Sequence, residues 1–168
     1  MSSQIKTRAL FYFLSALVIL SGCETEDPGP LQEVEKQFSI VDFDRLEMGS
    51  AFNIRVEQSN TYGIYVKGDR RNVDDLEVLK SGTTLVIRYD DFGNRNHTTY
   101  ITIAMPDLKA ANFSGACVSY VTGFESDEEL EFYLSGASVC QLDAGYRGMN
   151  VVLTGASTLH MYGLGDEI

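Results

Sequence analysis

The chain has 168 residues, with 24 acidic against 13 basic side chains and a net charge of −11. That length makes one domain, two at most, and the charge excludes a nucleic-acid partner or a polybasic membrane-surface binder, both of which need a cationic footprint. Hydrophobic residues make up 44%, enough for a core, while three Cys, two His and no Trp leave little for a multi-Cys zinc site or a disulfide framework.

Residues 1–22 read as a targeting signal. Lys6 and Arg8 give a short positive start, and Ala9–Leu20 is an apolar run interrupted only by Ser15. The run is too short for a permanent span, which needs about 20 apolar residues. Leu20-Ser21-Gly22-Cys23 follows and resembles the lipobox of bacterial lipoproteins. Small residues there let the scissile bond fit the peptidase, and the Cys23 thiol takes the diacylglycerol. Cys23 is therefore the expected lipidation site and the link to the membrane, because several acyl chains on one residue give a lasting anchor. Residues 23–36 are expected to be an acidic tether. Its start, Glu24-Thr25-Glu26-Asp27-Pro28-Gly29-Pro30, has the composition of a solvated linker. An acidic run directly after the lipidated Cys also resembles the surface-export signal of lipoproteins in one Gram-negative phylum. The expected address is the outer membrane, facing the cell surface or otherwise the periplasm.

Residues 37–168 are expected to form the folded domain. Apolar residues alternate with polar ones over Phe52–Val56, Ile64–Val66, Leu85–Ile87 and Ile101–Ile103. Only Asn72–Leu79 suits a short helix or turn. No long segment has the 3.6-residue period, so the protein is predicted to be all-β.

The last third repeats itself. Phe113-Ser114-Gly115-Ala116-Cys117, Leu134-Ser135-Gly136-Ala137-Ser138 and Leu153-Thr154-Gly155-Ala156-Ser157 align without gaps, and so do the residues after them. The glycines are 21 and then 19 residues apart. A period near 20 residues with short strands fits one coil of a parallel β-solenoid, each coil stacking on the last at about 4.8 Å. An antiparallel sandwich whose hairpins share a sequence is the rival architecture; gapless columns favour the solenoid. Phe113, Leu134 and Leu153 then make one inward column, and Val121, Leu142 and Met161 another. Ser119, Cys140 and Leu159 lie between them, while Tyr120, Gln141 and His160 face outward. The repeated Gly marks the turn or a close backbone approach. Cys117 and Cys140 fall on adjacent coils two positions out of step. Their Cα atoms should be about 8 Å apart, beyond the ~7 Å limit for bridging. Two buried thiols are expected, with a disulfide as the alternative in an oxidising compartment.

With Phe52–Gln58, Leu85–Ile87 and Ile101–Leu108 in front of the repeated Gly-Ala element, the chain from Phe43 onward resembles the auto-transporter adhesin head domain family, also called the GIN domain. The resemblance implies a right-handed β-solenoid-like fold, a cell-surface or periplasmic role with adhesion proposed, and no catalytic residues. Members usually add further coils, whereas Leu164–Ile168 follow the third element almost at once here. The last coil is expected to be incomplete, either pairing through its open edge with another copy or ending in a truncated reading frame.

No nucleophile elbow, phosphate loop or metal-spaced Cys/His pair is present, and no cofactor is expected. Asp143 and His160 fall near each other on the outward face, which keeps a carbohydrate-processing enzyme on this scaffold as an alternative to a non-catalytic binder. The loop Asp90–His97 lacks the alternating acids of a calcium loop. Tyrosine suits an interface because it buries area and keeps a polar tip. The candidate binding face is therefore Tyr120, Tyr133 and Tyr146 with Gln141 and His160, for a glycan or protein ligand.

Overall fold

The computed structural model describes residues 29–163 apart from 92 and 94. The signal segment, Cys23, the start of the tether and the last five residues lie outside the described residues.

The domain is all-β, and its described residues form eleven strands in one sheet. In chain order they are β1 (Glu33–Phe38), β2 (Arg45–Ser50), β3 (Phe52–Gln58), β4 (Gly63–Asp69), β5 (Leu76–Ser81), β6 (Thr84–Tyr89), β7 (Thr99–Met105), β8 (Ala110–Gly115), β9 (Val118–Leu134), β10 (Val139–Leu153) and β11 (Thr158–Tyr162). One short helix, α1 (Arg70–Asp74), sits between β4 and β5; it covers only the start of the helix or turn expected over Asn72–Leu79, whose second half, Leu76–Leu79, belongs to β5.

Most pairs are parallel, and they fall into two rows. In the first, β6 pairs with β2, β2 with β8, β8 with the end of β9, and that end with the end of β10. In the second, β7 pairs with β3, β3 with the start of β9, that start with the start of β10, and β10 with β11. The long strands β9 and β10 run from the second row into the first. They turn the corner at Gly123, whose φ is +84°, and at register shifts around Gly145 and Gly148. The sheet thus wraps around its core like a nearly closed barrel. Antiparallel strands extend both rows at the other end: β5 pairs with β6, β4 with β7, and β1 with β4.

The three Gly-Ala segments pair in parallel, in the register of the gapless alignment: Val118, Val139 and Thr158 lie side by side, as do Ser119, Cys140 and Leu159. They do not form hairpins with one another. The turns also stack. Gly115, Gly136 and Gly155 have φ of +83°, +75° and +72°. The amide of Ala116 donates to the Ser50 carbonyl, that of Ala137 to Gly115 and that of Ala156 to Gly136. A Cβ on Gly115 would lie 2.8 Å from the Ser50 oxygen, and one on Gly155 would lie 2.5 Å from the Gly136 oxygen. Glycine is required here for both its left-handed φ and its missing side chain. Each turn is closed by the same local bond, three residues back: Cys117 Sγ to Ser114, Ser138 Oγ to Ser135 and Ser157 Oγ to Thr154.

Four expectations need correcting. The tether is shorter than 23–36, because Glu33–Lys36 already belong to β1 and pair with Lys36↔Val66 in register. Stacking does not follow chain order at the start: β2 lies between β6 and β8, so the 84–105 segment flanks the 45–58 segment on its outer side. Two inward columns lose their burial at the last strand. Phe113, Leu134, Val121 and Leu142 are buried, but Leu153 is 45% and Met161 53% exposed, because among the described residues no strand pairs beyond the end of β10 in one row or beyond β11 in the other. Tyr133 and Tyr146 do not share a surface with Tyr120, as described below.

The core lies between the rows. Ile54, Val56, Ile101, Ile103, Val121 and Leu142 face Leu46, Met48, Leu85, Ile87, Phe113 and Phe132 in one cluster. Phe113 and Phe132, neighbours across β8 and β9, meet edge to face at 5.8 Å. Cys117 and Cys140 are both free and buried. Burial pushes each thiol up to about 11, so they act as small apolar core residues.

Candidate binding surface

Alternation along the second row sends one side chain in two away from the core. Across the sheet, Tyr65 on β4 pairs with Thr102 on β7, Thr102 with Arg55 on β3, and Arg55 with Tyr120 on β9. The line continues through Gln141 on β10 to His160 on β11. One step along, Lys67 pairs with Tyr100, and Tyr100 with Asn53. Tyr65 and Tyr100 are each 50% exposed, more than Tyr120.

Three of the five expected site residues are therefore brought together: Tyr120, Gln141 and His160 form one outward line. Tyr133 sits outward on the first row, between Asn112 and Val152, on the other side of the core. Tyr146 is half-buried at the corner of β10, and its hydroxyl donates to the Leu108 carbonyl at 2.7 Å. Burial raises its pKa, with the nearby Asp107 and Glu125 carboxylates adding to the effect. It is a structural tyrosine. Asp143 pairs with Tyr162 and Gln141 with His160, so Asp143 and His160 are diagonal neighbours; no hydrogen bond or ion pair joins them among the described residues.

Sequence reasoning missed Tyr65, Gln37 and Thr102. The signal was available: Tyr65 is the outward member of Ile64-Tyr65-Val66. What hides it is the partner strand: β1 lays Gln37 beside Tyr65, but the first four residues of β1, Glu33–Lys36, have the composition of a linker. A shallow groove of about 680 Å³ lies over β1, β4 and β7, lined by Glu35, Gln37, Tyr65, Lys67, Tyr100 and Thr102 among others. Most charges in and beside it are paired, and Lys36 at its rim lies 5.1 Å over the Phe38 ring. Lys67 Nζ lies 2.9 Å from Glu33 and 3.4 Å from Glu35, and Arg55 pairs with Glu57. The bond to Glu33, with its charge and that of Glu35, raises the Lys67 pKa.

A second polar cluster closes the end of this row. Asp69 is buried and accepts from the Gln32 amide, the Arg71 amide and the Arg71 guanidinium. It caps α1 as well. Those bonds, Arg71 first, hold the carboxyl well below the usual carboxylate range. Asn72 Nδ2 donates to the His97 carbonyl, and Arg95 pairs with Asp75 while lying 4.1 Å over the Tyr89 ring. The cluster fastens the 90–98 loop to β4; it is architecture. Among the described residues no group of three His, Cys, Asp or Glu could hold a metal ion, and no helix is long and apolar enough to cross a membrane.

Parallel rows, stacked glycine turns and a polar, tyrosine-bearing outer face define a parallel-stranded β domain with an open candidate binding face. Residues 42–168 match the family described as putative auto-transporter adhesin, head GIN domain, and the chain belongs to that family. Solved structures share the fold. A putative adhesin from Parabacteroides distasonis superposes with a TM-score of 0.69 at 16% identity, over 79% of this chain and 58% of that one. A putative adhesin from Parabacteroides merdae gives 0.68 at 16% identity, over 77% and 55%. A putative lipid binding protein from Parabacteroides distasonis gives 0.58 at 15% identity, over 78% and 66%. The chain thus spans a little over half the length of the first two. No curated protein matches it.

Proposed function

We propose that this chain is a lipid-anchored protein of the bacterial outer membrane, facing the cell surface, whose domain binds a glycan or protein partner without catalysis. The observation that carries the reading is membership of the adhesin head family over residues 42–168. The Leu20–Cys23 lipobox and the acidic residues after it supply the anchor and the address. We also read the two rows as coils of a short right-handed β-solenoid, supported by the parallel register and the stacked Gly115, Gly136 and Gly155 turns. Such a scaffold presents a stiff outer face to a partner. The test is retention of beads coated with the purified chain on epithelial cells and on immobilised matrix proteins. Retention above that of beads carrying heat-unfolded chain is expected; equal retention refutes the reading.

A second mode of association is favoured by one specific observation. Leu153 and Met161 continue columns that are buried in the strands before them, yet both are exposed at the same open end of the two rows, Leu153 at the end of β10 and Met161 on β11. Stacking of a second copy on that edge would cover them. Sedimentation of the Cys23→Ser chain, which lacks the anchor, should show a mass that rises with concentration and falls back with Met161→Asp. A monomer at every concentration contradicts it.

A further inference from the structure

We infer that the outer face of β4, β7, β3 and β9 is a platform for a neutral oligosaccharide, with Tyr65 and Tyr100 as its principal stacking surfaces and Tyr120 as a third. The inference rests on the binding role proposed above and names the ligand class and the residues.

Three observations carry it. The first is the placement of the rings. Tyr65 and Tyr100 sit on adjacent strands, two residues apart in register, so their Cα atoms are about 8 Å apart. Tyr120 lies two strands beyond β7, about 12 Å from Tyr100 by the same spacing. A row of this length fits a chain of sugars better than a single one. The groove over the first two tyrosines, about 680 Å³, falls within the ~300–1,000 Å³ usual for small-molecule sites.

The second is the way Tyr65 is held. Its ring lies over Gly63, where a Cβ would come within 2.8 Å of Cε2 and 3.3 Å of the hydroxyl. Glycine at this outward position lets the ring lie along the sheet instead of standing off it. A ring laid on the sheet offers a broad apolar surface with a hydroxyl at its edge, which suits the C–H face and hydroxyl rim of a sugar.

The third is charge. Two cations on this face have carboxylate partners, Lys67 with Glu33 and Glu35, and Arg55 with Glu57, while Lys36, at the groove's rim and paired in register with the inward Val66, lies 5.1 Å over the Phe38 ring. Attracting a sulfated or uronic-acid glycan would mean breaking those pairs in a protein of net charge −11. The polar groups on this face outside those charged contacts are neutral: the amides of Gln37 and Asn53 and the hydroxyl of Thr102. Neutral hydrogen-bonding groups around stacking rings recognise a neutral, hydroxyl-rich ligand.

The test is calorimetric titration of the purified Cys23→Ser chain with maltohexaose, cellohexaose and mannohexaose, and with hexagalacturonate as the anionic probe. Saturable binding of at least one neutral hexasaccharide is expected, tighter than hexagalacturonate. Tyr65→Ala and Tyr100→Ala should each weaken it roughly twofold to tenfold. Gly63→Ala should weaken it with Tyr65 still present, while Tyr133→Ala on the other row should leave it unchanged. No binding of any neutral hexasaccharide, preference for hexagalacturonate, or equal affinity in Tyr65→Ala and Tyr100→Ala overturns the inference. Beads coated with the chain separate this from the broader reading. Retention that survives enzymatic removal of surface glycans but falls with Tyr65→Ala means a protein partner: the saccharide inference fails and the adhesive role stands. Wild-type beads that never adhere refute the role itself.

Discussion

Replacing Gly136 with alanine tests the stacked turns on which the architecture depends. Gly136 has φ +75°, and its missing Cβ points into the turn beneath it. An added Cβ would overlap the Gly115 carbonyl oxygen and lie 3.0 and 3.1 Å from the Gly115 carbon and nitrogen. That same oxygen accepts from the Ala137 amide at 2.7 Å, so the neighbour cannot move away without loosening the ladder. The left-handed conformation alone costs alanine about 1–2 kcal/mol, and forcing backbone apart adds about 1–3 kcal/mol. The expected loss is therefore roughly 2–5 kcal/mol, a large share of the ~5–15 kcal/mol that holds a domain together. Gly82 is the control. It has φ +61° in the β5–β6 turn, with nothing within 4 Å of its Cβ position, so Gly82→Ala should cost only the conformational part, about 1–2 kcal/mol. Urea unfolding of both variants reads the difference as a midpoint shift; with a slope near 2 kcal/mol/M it should be about 0.5–1.5 M. Two variants that unfold within ~0.2 M of each other would refute the close stacking of these turns.

Other outcomes follow from the buried groups. Cys117 and Cys140 should resist a thiol reagent in the folded chain and react once it is unfolded; rapid native labelling contradicts their burial. Both thiols have pKa raised from 9.0 to about 11. Between those values the unfolded chain has lost protons that the folded chain keeps, so the stability they confer is present below pH 9 and is lost as pH rises towards 11. A Cys117→Ala/Cys140→Ala chain should show a flatter stability profile over that window, and an unchanged slope argues against the shift. Asp69 behaves in the opposite sense. Its carboxyl is held below its ordinary 3.8, so its stabilisation is present above that value and is lost as pH falls further. Asp69→Asn should cost about 1–3 kcal/mol at neutral pH and remove part of the acid slope; a neutral effect on urea unfolding contradicts the cluster.

The sequence was most legible where it repeats. Identical residue types at Gly115, Gly136 and Gly155 announce identical backbone, and the parallel register of Ser119, Cys140 and Leu159 follows from that alignment. The order of the rows was not legible. Nothing local in Leu85–Ile87 or Phe113 says that β2 lies between them, because row order is fixed by long-range packing around Met48, Ile87 and Phe113. Strand β1 was hidden for a different reason. Glu33-Val34-Glu35-Lys36 has an edge strand's solvated side chains and reads like a linker until it is laid against β4. The candidate face was half legible. Alternation shows that Tyr120 and Tyr133 both point outward, but the chain crosses from one row to the other at Gly123, and that crossing places them on opposite surfaces.

The measurement that bears most directly on the proposed role is attachment of bacteria that carry the full chain, compared with a deletion strain and with Cys23→Ser. The account predicts attachment to an epithelial monolayer above the deletion strain, lost when Cys23→Ser removes the anchor and the protein leaves the membrane fraction. Equal attachment by all three strains would contradict it.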